Sequence, residues 1–303
     1  MVSRAARRGF NIERRVVEAI NSGDRIGLAL VRAITEELNL PCERFSARRI
    51  PRRKSDIILE CDDRVVGISV KLFRPDADYN HVERNFVDHY ASRWGLPEQV
   101  YVALKLFVGE VDKEMRPIPT DELVREAKRM TLEAFKQEAL GRLRRGLLSR
   151  RDYESALNKV RRYGRVSPGV LGKIRRLRFT QMDDILREAV KRYFRAEKKK
   201  IVEDVLCGDE AYLLVFLVVK RENDLVHYYI IRRREVVEIY SSGDIRFTRA
   251  GNLMLGEVVL QRKGGDHEVR GVWRDVAANQ LQFKIRPSLA IRGREPLISE
   301  LLT

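Results

Sequence analysis

Lys54-Ser-Asp-Ile-Ile-Leu-Glu-Cys-Asp-Asp-Arg-Val-Val-Gly-Ile-Ser-Val-Lys71 holds two short apolar runs, Ile57 to Leu59 and Val65 to Leu72, either side of the polar tip Asp62-Asp63. Runs of this length around such a tip predict a β-hairpin. With the turn centred between Asp62 and Asp63, paired residues carry numbers summing to 125. Asp56 then falls opposite Ser69, and Lys71 is one diagonal step away. Alternation along the second strand sends Ile68, Val70 and Leu72 to one face and Gly67, Ser69 and Lys71 to the other. An acid, a hydroxyl and an ammonium converge on one face of an otherwise apolar sheet.

The Asp56…Ser69-Val-Lys71 pattern resembles the PD-(D/E)xK nuclease superfamily, and within it the type II restriction endonucleases. In that family an Asp on the first strand of a hairpin binds Mg²⁺, and the second strand carries an acidic residue, any residue, then Lys. Ser69 departs from the pattern, because a hydroxyl is a weaker Mg²⁺ ligand than a carboxylate. Some restriction enzymes tolerate a neutral residue there. The resemblance implies catalytic roles for Asp56, Ser69 and Lys71. It also implies a Mg²⁺ site made by Asp56, the main-chain carbonyl of Val70 and a Glu of the first core helix. Glu13 matches that Glu, with Glu18 as the spare. An ordinary hairpin with one polar face is the other reading of the same string.

The rest of the chain bears on the choice. A length of 303 residues suits one large domain or two to three smaller ones, and 44% hydrophobic residues can bury a core. A formal charge of +16 with a pI near 10.0 points to a polyanionic partner, most often nucleic acid. No long apolar span, signal peptide or basic amphipathic anchor supports a membrane partner. The cysteines at 42, 61 and 207 are widely spaced and form no CxxC pair, which argues for a reducing cytoplasm and against structural zinc. Many Arg and Glu against few Asn and Gln suit a thermophilic source. No Walker loop or dinucleotide fingerprint occurs, so ATP- or NAD-dependent chemistry has no support. The four histidines show no zinc-ligand spacing.

Residues 3 to 38 read as two helices split by Asn21-Ser-Gly-Asp24, the first with Phe10, Val17 and Ile20 on one face. Glu13 shares that face, where a carboxylate needs a cation or an arginine partner. The basic run from Arg44 to Lys54 is either a solvated face or, with Arg52 and Arg53 beside Asp56, a phosphate contact. A strand is expected near 42–50. Val82, Phe86, His89 or Tyr90, and Arg93 or Trp94 fit an amphipathic helix ended by Gly95 and Pro97, with Asn80, Arg84 and Asp88 on a second stripe. Gln99 to Val108 reads as a buried strand. The order becomes the αβββαβ core of the nuclease superfamily, and Lys105-Leu-Phe-Val-Gly109 is similar to a restriction-enzyme string.

From 111 to 205 the chain turns helical and Arg-rich, with helices expected near 121–145, 150–162, 168–177 and 180–205. From 206 it turns β-rich, with strands expected at 212–219, 225–231, 236–240, 245–248 and 257–261. Leu260-Gln-Arg-Lys-Gly-Gly-Asp266 and Asn279-Gln-Leu-Gln-Phe-Lys-Ile-Arg-Pro287 carry Gln, Arg and Lys, the side chains that read purine edges in the major groove. Gln261, Arg262, Lys263, Gln282 and Lys284 therefore join the DNA-binding candidates. Gln261-x-Lys263 with Asp244, and Gln282-x-Lys284 with Asp266, also fit a permissive QxK form of the nuclease signature. Plain polarity at a strand edge is the remaining reading.

The expected fold class is α/β (α+β), with the nuclease core over residues 1–110, a basic helical DNA clamp over 111–205 and a β-rich recognition region over 206–303. The expected function is Mg²⁺-dependent, sequence-specific cleavage of double-stranded DNA by a cytoplasmic homodimer, with a cognate DNA methyltransferase in the same system. A structure-selective nuclease of the resolvase or repair type, and a non-catalytic DNA-binding protein on a nuclease fold, are the alternatives.

Overall fold

Asp24 separates the first two helices and starts the second. Its carboxylate accepts from the Ile26 and Gly27 amides, so α1 (Arg4–Ser22) hands over to α2 (Arg25–Leu38) in a tight capped turn. Gly27 is needed there, because a Cβ would lie 2.0 Å from the Ala19 carbonyl oxygen where the helices touch. The computed structural model describes residues 4–51, 53–73, 79–111, 120–263, 267–269, 272–274 and 280–301.

β1 (Phe45–Arg49), β2 (Ile57–Cys61) and β3 (Arg64–Phe73) follow. β2 and β3 form the expected hairpin in the expected register: Ile57 faces Ile68 and Cys61 faces Arg64, with Asp62 at φ 52 in the turn. Ile57, Leu59, Val66 and Ile68 bury one face of the sheet against Val16 and Ile20 of α1 and Leu30, Val31 and Ile34 of α2. Phe10 was expected on that buried face. It is instead 45% exposed, with the Arg49 guanidinium 5.1 Å over its ring.

β4 (Asn80–Phe86), α3 (Val87–Trp94) and α4 (Glu98–Val108) correct two expectations. The helix expected through residues 82–94 begins only at Val87, because residues 80–86 are paired by a strand some two hundred residues away in the chain. The strand expected at 99–108 is α4. A continuous apolar run does not distinguish strand from buried helix. Here the helix is buried on most sides through Val100, Ala103, Leu104, Leu106, Phe107 and Val108, and Gly109 at φ 80 ends it.

The helical section is α5 (Thr120–Arg129), α6 (Leu132–Arg144), α7 (Arg150–Tyr163), α8 (Pro168–Arg175) and α9 (Asp184–Cys207). α5 to α8 share an apolar core of their own, including Phe135, Leu157, Leu171 and Ile174. The single helix expected over 121–145 is divided at Thr131, whose hydroxyl accepts from the Ala134 amide and caps α6.

β5 (Leu213–Glu222) returns parallel to β3, and β6 (Leu225–Arg232) pairs antiparallel with β5. α10 (Arg233–Ser241) replaces the strand expected at 236–240, burying Val236, Val237 and Tyr240 at helical spacing. The remaining elements are β7 (Ile245–Phe247), β8 (Leu253–Leu255), β9 (Val258–Arg262), β10 (His267–Val269), β11 (Val272–Arg274), β12 (Gln280–Ile285), α11 (Pro287–Ala290) and β13 (Ile298–Leu301).

Two sheets result. The first has the order β1-β2-β3-β5-β6-β13; the second is five-stranded, β4-β12-β9-β8-β7; β10 and β11 pair separately. The expected αβββαβ order is therefore present, but it is not confined to residues 1–110. Its last helix and strand are α9 and β5, which follow the helical section. A second apolar core joins α3, α4, α9 and α10 to β5 and to the second sheet, with Trp94 stacked on Tyr90 at 4.6 Å between ring centres and edge-on to Phe283 at 5.8 Å.

Pairing of Phe45 with Cys61 brings Cys42 beside Cys61, with Cα atoms 5.3 Å apart and the sulfurs bonded. The spacing argument from the cysteines toward a reducing compartment loses its basis here, since strand pairing closes a gap that the sequence shows as wide. No helix among the described residues is long and apolar enough to cross a membrane.

Candidate active site

Asp56 sits where the hairpin ladder gives way to side-chain bonds. Its amide donates to the Ile68 carbonyl at 2.9 Å, continuing the β2–β3 pairing. Its Oδ2 accepts from the Val70 amide at 2.7 Å and from the Ser69 hydroxyl at 3.3 Å. Lys71 Nζ donates to Ser69 Oγ at 2.7 Å and lies 3.5 Å from the same Asp56 oxygen. The Asp56 side chain is 26% exposed and that of Lys71 14%, so the pair is sheltered yet open on one side. Among the described residues nothing is bonded to Oδ1, which leaves that oxygen free for a cation. The Val70 carbonyl is at hand too, accepting from Lys71 Nζ at 3.3 Å.

The segment before Asp56 is clamped. Glu210, buried in the turn ahead of β5, accepts from the Lys54 amide at 2.7 Å, and from the Ser55 amide and hydroxyl at 2.8 Å each. Gly67 makes room for this clamp, since a Cβ there would sit 2.3 Å from Ser55 Oγ. The Lys54 ammonium turns the other way, donating to the Glu83 carboxylate on β4 and to the Val205 carbonyl at 2.6 Å. Burial lowers the Lys54 pKa, and the nearby Glu83 charge opposes that shift.

Glu13 has the arginine partner that one of its two readings expected. Arg49 grips its Oε2 from Nε at 3.0 Å and from Nη2 at 2.7 Å. Its carboxyl is nevertheless held above the usual range, first by burial and then by the charge of Asp56. The Glu13 and Asp56 carboxylates and the Val70 main-chain carbonyl offer all-oxygen donors, which suit a hard divalent cation.

The second sheet gathers another group. Gln282 of β12 lies in register with Arg84 of β4 on one side and Gln261 of β9 on the other, and Gln261 Nε2 donates to Gln282 Oε1 at 2.9 Å. Leu281 and Phe283 alternate into the core, so this polar row occupies the opposite face. Lys284 belongs to it as well, and burial alone lowers its pKa. Two candidates leave the row. Arg262 alternates inward and is 7% exposed, while Asn80 pairs with the buried Ile285. A bulge between Phe283 and Lys284 puts His81 in register with Lys284 instead.

The carboxylates expected for the two QxK strings are not seen beside them among the described residues. Asp244 precedes β7, which β8 separates from β9, and Asp266 lies outside the described residues, as do Arg52, Gly264, Gly265 and Asn279. Arg53 is exposed beside the site. Sequence reasoning missed Glu83, Asp204 and Glu210 as partners of the site. They lie 27 to 154 positions from Asp56 and follow no spacing rule. Lys54 was visible only as the last member of a basic run.

Residues 164–290 match the family of the R.HinP1I restriction endonuclease. Over that stretch the chain is similar to a restriction endonuclease. The matched stretch contains α9, β5, β6 and most of the second sheet. It leaves out the hairpin with Asp56, Ser69 and Lys71, so those assignments stand on geometry. No curated protein matches the chain. A crystal structure of the restriction endonuclease MspI in complex with its cognate DNA aligns over 91% of this chain and 88% of that one, at 10% identity and a TM-score of 0.46. That likeness is too distant to bear on chemistry.

Proposed function

We propose that this protein is a type II restriction endonuclease that hydrolyses duplex DNA with Mg²⁺ at a site formed by Asp56, Ser69, Lys71 and Glu13. The observation that carries the reading is the Asp56 carboxylate braced on the Val70 amide, with the Lys71 ammonium 3.5 Å away. Asp56, Glu13 and the Val70 carbonyl would hold the cation, which when bound supplies positive charge to the scissile phosphate and the leaving oxygen. Lys71 serves as donor to the attacking water or to a phosphate oxygen. Ser69 takes the position of the usual acid without adding charge; it accepts from Lys71 and donates to Asp56, so it orients both groups. A donor set with two carboxylates and no third acid suits one ion.

The second sheet supports base reading through Arg84, Gln261, Gln282 and Lys284. The exposed arginines of α6 and α7, among them Arg144, Arg151, Arg161 and Arg162, suit contact with the DNA backbone. A homodimer would cut both strands of a near-palindromic site. Digestion of a long duplex with Mg²⁺ and with EDTA tests the reading. Discrete Mg²⁺-dependent fragments with one shared end sequence are expected. Binding without cleavage under both conditions would favour a DNA-binding protein that has lost its chemistry, the reading that the neutral Ser69 supports.

A further inference from the structure

Two residues before Asp56, the catalytic hairpin is tied to the second sheet. Lys54 reaches from the hairpin to Glu83, and Glu83 lies on β4 directly before Arg84. The two neighbours point opposite ways: Arg84 is exposed in the polar row beside Gln282, whereas Glu83 faces the interior. Glu83 also accepts from Arg93 Nη1 of α3 at 3.1 Å. Arg93 forms a second ion pair with Asp204 of α9, and the other oxygen of Asp204 accepts from Trp94 Nε1 at 2.6 Å. The Lys54 ammonium is held from a third side by the Val205 carbonyl. One chain of charged contacts therefore runs from the row on β4, through Glu83 and Lys54, to the backbone that carries Asp56.

We propose that the Lys54–Glu83 pair is a positioning device that couples the seating of β4 on its bases to the placement of Asp56. The inference rests on the reading above, in which Asp56 is catalytic and the second sheet reads bases. A buried ion pair is a poor source of net stability, because desolvation offsets most of the attraction. It is a strong constraint on geometry, because drawing Glu83 away leaves the largely sheltered Lys54 ammonium without its counter-charge. A shift of β4 therefore has to carry Lys54 with it. Lys54 has little freedom to respond alone, since its own amide and the next residue are fastened to Glu210.

The test uses the full chain and a duplex containing the site defined by the wild-type digest. Dissociation constants are measured without divalent cation, single-turnover cleavage rates with Mg²⁺ at saturating DNA, and both are repeated on a duplex altered at one base pair. Glu83→Gln keeps the shape and removes the charge. It should bind the cognate duplex within about threefold of wild type and cleave it about tenfold more slowly or worse, the size of effect seen between coupled neighbours. Its preference for the cognate site in cleavage should shrink, and Glu83→Asp should recover part of the rate. Wild-type cleavage and preference in a folded Glu83→Gln variant would overturn the proposal. So would parallel losses of binding, rate and melting temperature, which mark a merely structural residue. If Glu83→Gln does not fold, the double variant Lys54→Met/Glu83→Leu replaces the pair with apolar packing. Folded protein with slowed, less selective cleavage supports the coupling, and wild-type behaviour rejects it. A wild-type protein that cuts nothing would overturn the nuclease reading itself, and the coupling with it.

Discussion

Three strings in this protein run polar residue, any residue, then lysine: Ser69-Val-Lys71 on β3, Gln261-Arg-Lys263 at the end of β9 and Gln282-Phe-Lys284 on β12. On β3 the strand partner places an aspartate against the motif, so the ammonium, the hydroxyl and the carboxylate meet within 3.5 Å. On β12 the partners are a glutamine and an arginine, and the lysine is influenced by burial alone. The same local string thus sits beside a carboxylate in one sheet and in a row of glutamines and cations in the other. What decides is the residue that pairing brings opposite.

Exchange of roles between the two sheets gives the sharpest break. Lys71→Ala should slow single-turnover cleavage by about 10²- to 10⁴-fold, the usual weight of a positioned proton-transfer group. Asp56→Ala should reduce cleavage to background, with DNA binding largely kept in both variants. Lys284→Ala should leave the maximal rate within a few-fold and weaken binding. Lost cleavage in Lys284→Ala beside retained cleavage in Lys71→Ala would move the chemistry to the second sheet.

A covalent brace also distinguishes the sheets. The Cys42–Cys61 bond closes a loop 19 residues apart at the end of β2, and a loop of that size is worth ~3 kcal/mol by chain entropy. Reduction, or Cys42→Ser, should lower the melting temperature and raise amide exchange in β1 and β2 more than in β9 and β12. An unchanged melting temperature after complete reduction would show that pairing alone holds the hairpin. A smaller effect is expected in the row. Gln282→Ala should cost ~1–3 kcal/mol of discrimination between the cognate site and a one-base variant, with little change in maximal rate. Equal loss on both duplexes would make Gln282 a backbone contact.

These outcomes also bear on what a sequence can reveal. The hairpin was readable because everything it needs is local: two apolar runs, a turn with Asp62, and a register fixed by the turn. Asp56 opposite Ser69 followed from counting. α4 was misread because an apolar helix buried on most sides lacks the polar stripe that separates helix from strand. β4 was misread because its strand state depends on β12, far along the chain. Glu210 fastens the residue before Asp56 from 155 positions away, and no local pattern announces such a bond.

Cys207 offers a last probe of how the sheets are joined. It is buried at the end of α9, in the core that α9 shares with β5 and the second sheet. Burial pushes its thiol up to about 12. At pH 8 only about one thiol in 10⁴ would then be ionised, against roughly a quarter of free cysteines, and the thiolate is the reactive form. The native protein should therefore react with a disulfide reagent at least about 100-fold more slowly than the unfolded chain. With Cys42 and Cys61 bonded to each other, the signal comes from Cys207 alone. Fast labelling of native protein would mean that the core between the sheets opens readily. A coupling between β4 and Asp56 that depends on fixed packing could not survive that result.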